Sequence, residues 1–188
     1  MFKKNPILKF EIISTIIIMI LGTILHFSYE WSNYNKFVGI FSATNESVWE
    51  HLKLLFYPML LMIIVGYIYK GKEIPNYLCA KTIGIIIALS FTIVLHYTYS
   101  GIIGKDIAPI DIGTFFVAVL IGEYISYREM KKEKDCNKTI AITILVLLFL
   151  CFTIFTFWQP KINLFKDPQT SQYGLFFLRW LYHICVLF

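Results

Sequence analysis

Residues Thr139–Pro160 read TIAITILVLLFLCFTIFTFWQP, 22 residues without one formally charged side chain. A helix needs roughly 20 mainly apolar residues to cross a hydrocarbon core about 30 Å thick, and this stretch reaches that length unaided. Lipid offers no hydrogen bonds, so a crossing segment must close its backbone bonds within itself, as a helix does. Histidines aside, four more uncharged stretches lie upstream: Ile12–Tyr29, Leu54–Tyr69, Thr82–Gly104 and Ile112–Gly122. Ile12–Tyr29 and Thr82–Gly104 are long enough outright; the other two become so once interfacial residues are added. The expected architecture is therefore all-α, a polytopic membrane bundle of about five transmembrane helices in one integral membrane domain over residues 1–188.

Composition agrees with the pattern. Hydrophobic residues make up 57% of the chain and charged residues 15%, against about 45–50% and about 25% in soluble domains. The net charge of +5 is spread over loops, with no dense basic run suited to nucleic acid, so none is expected as a partner. Lys3 and Lys4 precede the first apolar stretch in the manner of a signal peptide. That stretch ends in His26-Phe27-Ser28-Tyr29-Glu30-Trp31, which offers no small-residue cleavage site, so it is read as a retained helix.

Lysine and arginine concentrate on the cytoplasmic side of membrane proteins. A cytoplasmic N-terminus puts 11 of the 17 inside and 6 outside, the inner set including the cluster Arg128–Lys138. The N-terminus is accordingly predicted cytoplasmic, in a multi-pass protein of the cell membrane. Tyr29, Trp31, Trp49 and Trp158 then fall at outer helix ends, the level that such rings favour. The tail Gly174–Phe188 has 15 residues and would reach about 22 Å as a helix, short of a full crossing. An interfacial or re-entrant helix is the first reading there and a short sixth span the rival. Cys79, Cys136, Cys151 and Cys185 show no ligand spacing, and no disulfide framework is read from them.

In this topology His26, His51, His96 and His183, from four different segments, all approach the outer face. Glu30, Glu46, Glu50 and Asp111 join them, while Glu123 lies nearer the inner side. Ionisable groups at membrane depth are costly and tend to mark functional sites. His26 and Glu30 are four apart, as are Ser47 and His51, and Thr92, His96 and Ser100 form a polar stripe at the same interval. Imidazole and carboxylate suit zinc or another divalent metal. The expected ligands are His51, His96 and Asp111, with His26 or His183 as another, Glu50 as proton acceptor and Ser47 beside it as a further catalytic candidate. A structural reading competes, because Ser47-x-x-Glu50 is also a capping box in which Glu50 returns to the Ser47 amide.

The segment Asn45-Glu46-Ser47-Val48-Trp49-Glu50-His51-Leu52-Lys53, with His26–Glu30 before it and Leu164–Pro168 and Tyr173-Gly174 after it, resembles an uncharacterised family of small multi-pass prokaryotic membrane proteins. That resemblance implies membrane residence and no particular reaction. Ser47 and His51, with Asp111, are also weakly similar to the hydrolase superfamily of alkaline ceramidases and adiponectin receptors. Arg179 stands where that pattern would place a histidine four before His183, and its members have seven spans.

Three functions follow as expectations. One is a metal-assisted hydrolase or transferase acting on a lipid or small amphiphile at the outer leaflet. The second is a small ion- or proton-coupled transporter using the same groups, with Glu123 continuing the path inward. The third is a non-catalytic accessory subunit of a membrane assembly.

Overall fold

The computed structural model describes residues 6–132 and 136–175. Among these residues six α-helices follow one another: α1 (Pro6–Trp31), α2 (Lys36–Phe41), α3 (Val48–Tyr69), α4 (Tyr77–Ile103), α5 (Ala108–Met130) and α6 (Lys138–Phe157). All except α2 are long and apolar enough to cross a membrane. The described residues contain no strand, and an isolated antiparallel bridge joins Lys166 to Tyr173. The expected five-span helical bundle is the observed one, with α2 added in the first long connection. The alternatives for the tail concern residues 176–188, which lie outside the described residues.

Local chemistry explains several helix ends. Ser47 caps α3 by accepting the Glu50 N–H, and Asn137 caps α6 by accepting from the Thr139 and Ile140 amides. Gly104 closes α4 at φ 78°, a left-handed conformation that glycine adopts without steric cost. Alternating spans give the bundle two ends. One carries the C-termini of α1, α4 and α6 together with His26, His51 and His96; the opposite end carries the N-terminus of α1.

The bundle is turned inside out relative to a soluble protein. Ile16, Ile20, Ile64, Leu120 and Leu147 are each about half exposed, whereas Glu11, Glu50, Lys53, Lys81 and Glu123 are buried. That distribution suits a lipid solvent, in which apolar side chains face outward and charges must find partners within. Lys53 and Lys81 were expected among the loop charges; both instead sit inside helices and inside the bundle. One is lost from each side of the orientation count, so its direction stands.

Small residues let the helices approach. Pro58 in α3 has no N–H to offer the Leu54 carbonyl, and α1 closes on that carbonyl through Gly22, where an added Cβ would lie 2.6 Å from the Leu54 oxygen. Between α4 and α5, Cβ atoms added at Gly84 and Gly122 would stand 2.5 Å and 2.9 Å from each other's backbone oxygens. This is the close packing by small side chains that replaces the hydrophobic drive within a bilayer.

Cys79 at the start of α4 is joined by a disulfide to Cys136, before α6, across a Cα separation of 6.0 Å. The spacing of the cysteines gave no sign of it, because the two lie 57 positions apart and only the return of α5 brings the two segments together. The bond fastens the α5–α6 connection to α4 at the end opposite the histidines.

Gly84→Leu should lower the unfolding midpoint in detergent, at a cost of about 2–3 kcal/mol, since the new side chain meets fixed backbone. Gly101→Ala is the control, because nothing lies within 4 Å of its Cβ position; it should leave the midpoint unchanged or raise it.

Candidate metal centre

The histidine end is built on a buried ion pair. Glu50 and Lys53 lie one turn apart on α3 with fully buried side chains, and the Lys53 ammonium stands 2.6 Å from Glu50 Oε2. That oxygen also accepts the Thr44 N–H at 2.9 Å and its hydroxyl at 3.0 Å, while Oε1 accepts Gln159 Nε2 at 3.1 Å. Lys53 spends its remaining hydrogens on the Gly39 carbonyl at 2.7 Å and the Thr156 hydroxyl at 3.0 Å. One pair thus ties together α2, the loop before α3, the end of α6 and the segment that follows it.

Half of the expected capping box is present. The Ser47 hydroxyl accepts the Glu50 amide at 3.4 Å, but the Ser47 amide goes to Asn45 Oδ1 at 2.9 Å and the Glu50 carboxylate reaches back to Thr44. Glu50 was expected to take a proton from bound water. Both of its oxygens are instead occupied by protein donors, and no part of the side chain is exposed. Its observed place is structural.

The loop between α1 and α3 is pinned to α1 as well. The Ser42 hydroxyl accepts the Tyr29 N–H at 3.0 Å and donates to the Leu25 carbonyl. It is therefore inserted into the hydrogen bond that would close the helix there, the kind of insertion that bends helices. His26 follows Leu25 directly. Asn33 and Tyr34, at φ 57° and 60°, turn the chain after α1 toward α2.

These restraints bring His26, Glu46 and His51 together. One ligand atom from each lies within 4.8 Å of the others. The His26 and His51 rings stand 5.2 Å apart at 68°, and His51 Nε2 lies 3.4 Å from a Glu46 oxygen. His51 Nδ1 is 2.9 Å from the Ser47 carbonyl, a contact in which Nδ1–H donates, and Nε2 is the nitrogen that faces Glu46. Metal-binding histidines are oriented in this way. His26 Nδ1 is buried with no hydrogen-bond partner among the described residues. Zinc ligands at about 2.0–2.1 Å from the ion stand roughly 3.3 Å apart, so the three groups fit an ion after small side-chain rotations. Beside them is a cleft of about 240 Å³ lined by Tyr34, Asn45, Glu46 and Asp167 among others.

The expected ligand set divides at this point. His96 and Asp111 form a second group, with His96 Nδ1 2.8 Å from Asp111 Oδ1 and Nε2 3.6 Å from Asp106. Tyr99 packs edge-on at 5.5 Å from the His96 ring and accepts the Ile107 amide at 3.3 Å. Asp111 and His51 lie close enough for their charges to interact, so the two groups are neighbours. Thr92 spends its hydroxyl on the Ala88 carbonyl within α4. His183 lies outside the described residues. Glu46, grouped in the sequence with the outer-face carboxylates but not among the expected ligands, is the carboxylate that meets His26 and His51.

A second buried charge cluster was not expected. Lys81 contacts the Glu11 carboxylate and lies 2.6 Å from Glu123 at the opposite end of the bundle. A lysine four residues into an apolar helix, and a glutamate just before the first uncharged stretch, were the available signals. Lys81 was counted among the loop charges and Glu11 was not singled out, because neither suggests a partner by its spacing.

Five membrane-length helices, a charged interior and a His/Glu cluster at one end define a polytopic membrane protein with a metal-ligand constellation. The chain belongs to a family of unknown function, DUF6512, whose match covers residues 1–175. No curated protein and no solved structure matches it.

Removing one partner of the Glu50–Lys53 pair should be severe. Lys53→Met leaves a buried carboxylate without its cation, which costs about 3–5 kcal/mol. The double variant Glu50→Gln/Lys53→Met should recover a large part of that loss. Thermal unfolding of wild type, both single variants and the double variant in the same detergent checks it; additive losses would contradict the coupling.

Proposed function

We propose that this protein is a metal-assisted hydrolase or transferase of the membrane surface, with a divalent ion such as zinc held by His26, Glu46 and His51. The observation that carries this reading is the convergence of two imidazoles and a carboxylate, with one imidazole already oriented by a backbone carbonyl. Two histidines and a glutamate are a ligand set used by catalytic zinc, which keeps its fourth position for water or substrate. The ion would supply Lewis acidity and a nucleophile from water at neutral pH.

The chain's own residues have separate tasks. Ser47 acts through its cap and its carbonyl, fixing the start of α3 and the tautomer of His51. It is a positioning residue. Glu50 and Lys53 hold the Glu46 loop against α3, so proton transfer falls to His96. Asp111 orients that ring and would steady its charged form while it accepts and returns a proton. Access from the end of α1, where Tyr29, Trp31 and Tyr34 gather, suits a lipid or small amphiphile presented at headgroup level.

Purified protein should carry one zinc or similar ion per chain. His51→Ala and Glu46→Ala should each lower affinity by more than the 10–100-fold typical of losing an outer-shell partner, and His96→Ala should retain the ion while losing turnover of lipid esters or amides. Metal-free wild-type protein after isolation and zinc titration would remove the basis for the reading.

The orientation proposed for this chain keeps the N-terminus in the cytoplasm and the metal centre outside, on the strength of the loop lysines and arginines. The Cys79–Cys136 bond then faces the cytoplasm, where disulfides are rare and usually redox-responsive. A phosphatase reporter fused after Glu73 should be inactive and a cytoplasmic reporter active. The opposite pattern inverts the topology and makes the disulfide an ordinary extracytoplasmic one.

A further inference from the structure

The Glu11–Lys81–Glu123 cluster differs from the Glu50–Lys53 pair in its charge balance. Glu11 is 3% exposed, Lys81 1% and Glu123 4%, so all three are withdrawn from solvent. The Oε2 atoms of both glutamates converge on the one ammonium, which brings the two carboxyl groups side by side. Fully ionised, the cluster would carry a net charge of −1. An unbalanced charge in such a place is strongly unfavourable, and two carboxylates crowded together resist ionising at once. Glu11 Oε1 is buried with no hydrogen-bond partner among the described residues, as is the Ser14 hydroxyl one turn along α1.

Among the described residues the surroundings add no second cation: the charged groups that act on Glu11 and Lys81 are the cluster's own members. From α4, Tyr77 turns its hydroxyl to the Ile63 carbonyl of α3 at 3.3 Å. From α5, Ser126 donates to the Glu123 carbonyl at 3.0 Å. The side of α3 toward Tyr77 is Gly66, where an added Cβ would stand 2.1 Å from the phenol oxygen. Among the described residues, the groups named here from α3, α4 and α5 are thus neutral, and the charges at the cluster are those of its own three members.

We propose that Glu11, Lys81 and Glu123 form a proton-binding site in which the two glutamates share one proton, making the cluster neutral. One carboxyl donates its O–H to the other, and the resulting carboxylate pairs with the ammonium. The 15 residues of α1 from Glu11 to His26 correspond to about 22 Å, so this site lies across the bundle from the metal centre and does not depend on it. Its ligand is the proton, exchanged at the end of the bundle that carries the N-terminus of α1.

Infrared spectroscopy of the whole protein in lipid at neutral pH tests the assignment. Wild type should show a carboxylic-acid carbonyl band that shifts in heavy water. Glu11→Gln and Glu123→Gln should each abolish it, because the remaining glutamate ionises opposite Lys81, and both should stay folded as neutral isosteres. Lys81→Met, with no cation to balance, should double the band. No acid band in folded wild type would overturn the proposal, as would survival of the band in either glutamine variant. An absent band together with sodium- or potassium-dependent stability would overturn it in favour of a metal-cation site.

Discussion

A carboxylate and an ammonium wholly removed from solvent, Glu50 and Lys53, hold the histidine end of this protein in one arrangement. Withdrawing two charges from water is costly, and the attraction between them offsets that only when every remaining donor and acceptor is satisfied. Here the requirement is met by Thr44, Gln159, Gly39 and Thr156. Those four residues belong to four different pieces of chain. Satisfying one ion pair is therefore the same event as assembling the loop, α2, α3 and the end of α6.

The consequence for the candidate metal centre is geometric. Glu46 lies on the strand of loop between Thr44 and Ser47, both of which are fixed, one by Glu50 and the other by Asn45 and the start of α3. Ser42 fixes the same loop to α1 next to His26. Beyond α6, Gln159 accepts the Gly174 amide at 2.6 Å and Asn45 donates to the Gly174 carbonyl at 3.2 Å. The returning segment is thereby drawn over the loop. Glu46 and His26 come from unrelated parts of the sequence, yet each is anchored within a residue or two of a buried polar contact.

The spans were legible in the sequence because lipid imposes a length and an apolarity that no tertiary contact can override. Ser47 as a cap was legible for a similar reason: its partner lies three residues away. The destination of Glu50 was not, since Thr44 becomes its neighbour only through the bend of the loop. The common level of His26, His51 and His96 followed from counting spans. Their division into two groups depends on how each helix is rotated about its axis, and uniformly apolar helices carry little amphipathic signal for that rotation. Lys53 and Lys81 were read as loop charges because both lie within about a turn of helix starts. The Cys79–Cys136 bond joins segments that only the completed α4–α5 hairpin brings together.

The two buried clusters show how charge burial for stability differs from charge burial for chemistry. At Glu50–Lys53 positive and negative charge are equal, the ammonium has three acceptors and both carboxylate oxygens are met by protein donors. Such a site has nothing left to bind. At Glu11–Lys81–Glu123 two acids face one base and, among the described residues, an oxygen lacks a donor, so the described side chains leave room for a proton. The same criterion separates the residues of the histidine end. Both Glu50 oxygens are engaged by protein donors, whereas His51 has one nitrogen committed to a carbonyl and the other turned toward Glu46. Incomplete satisfaction, held in place by a neighbour whose satisfaction is complete, is the physical reason to look for chemistry at His26, Glu46 and His51 rather than at the more deeply buried carboxylate four residues along the chain from Glu46.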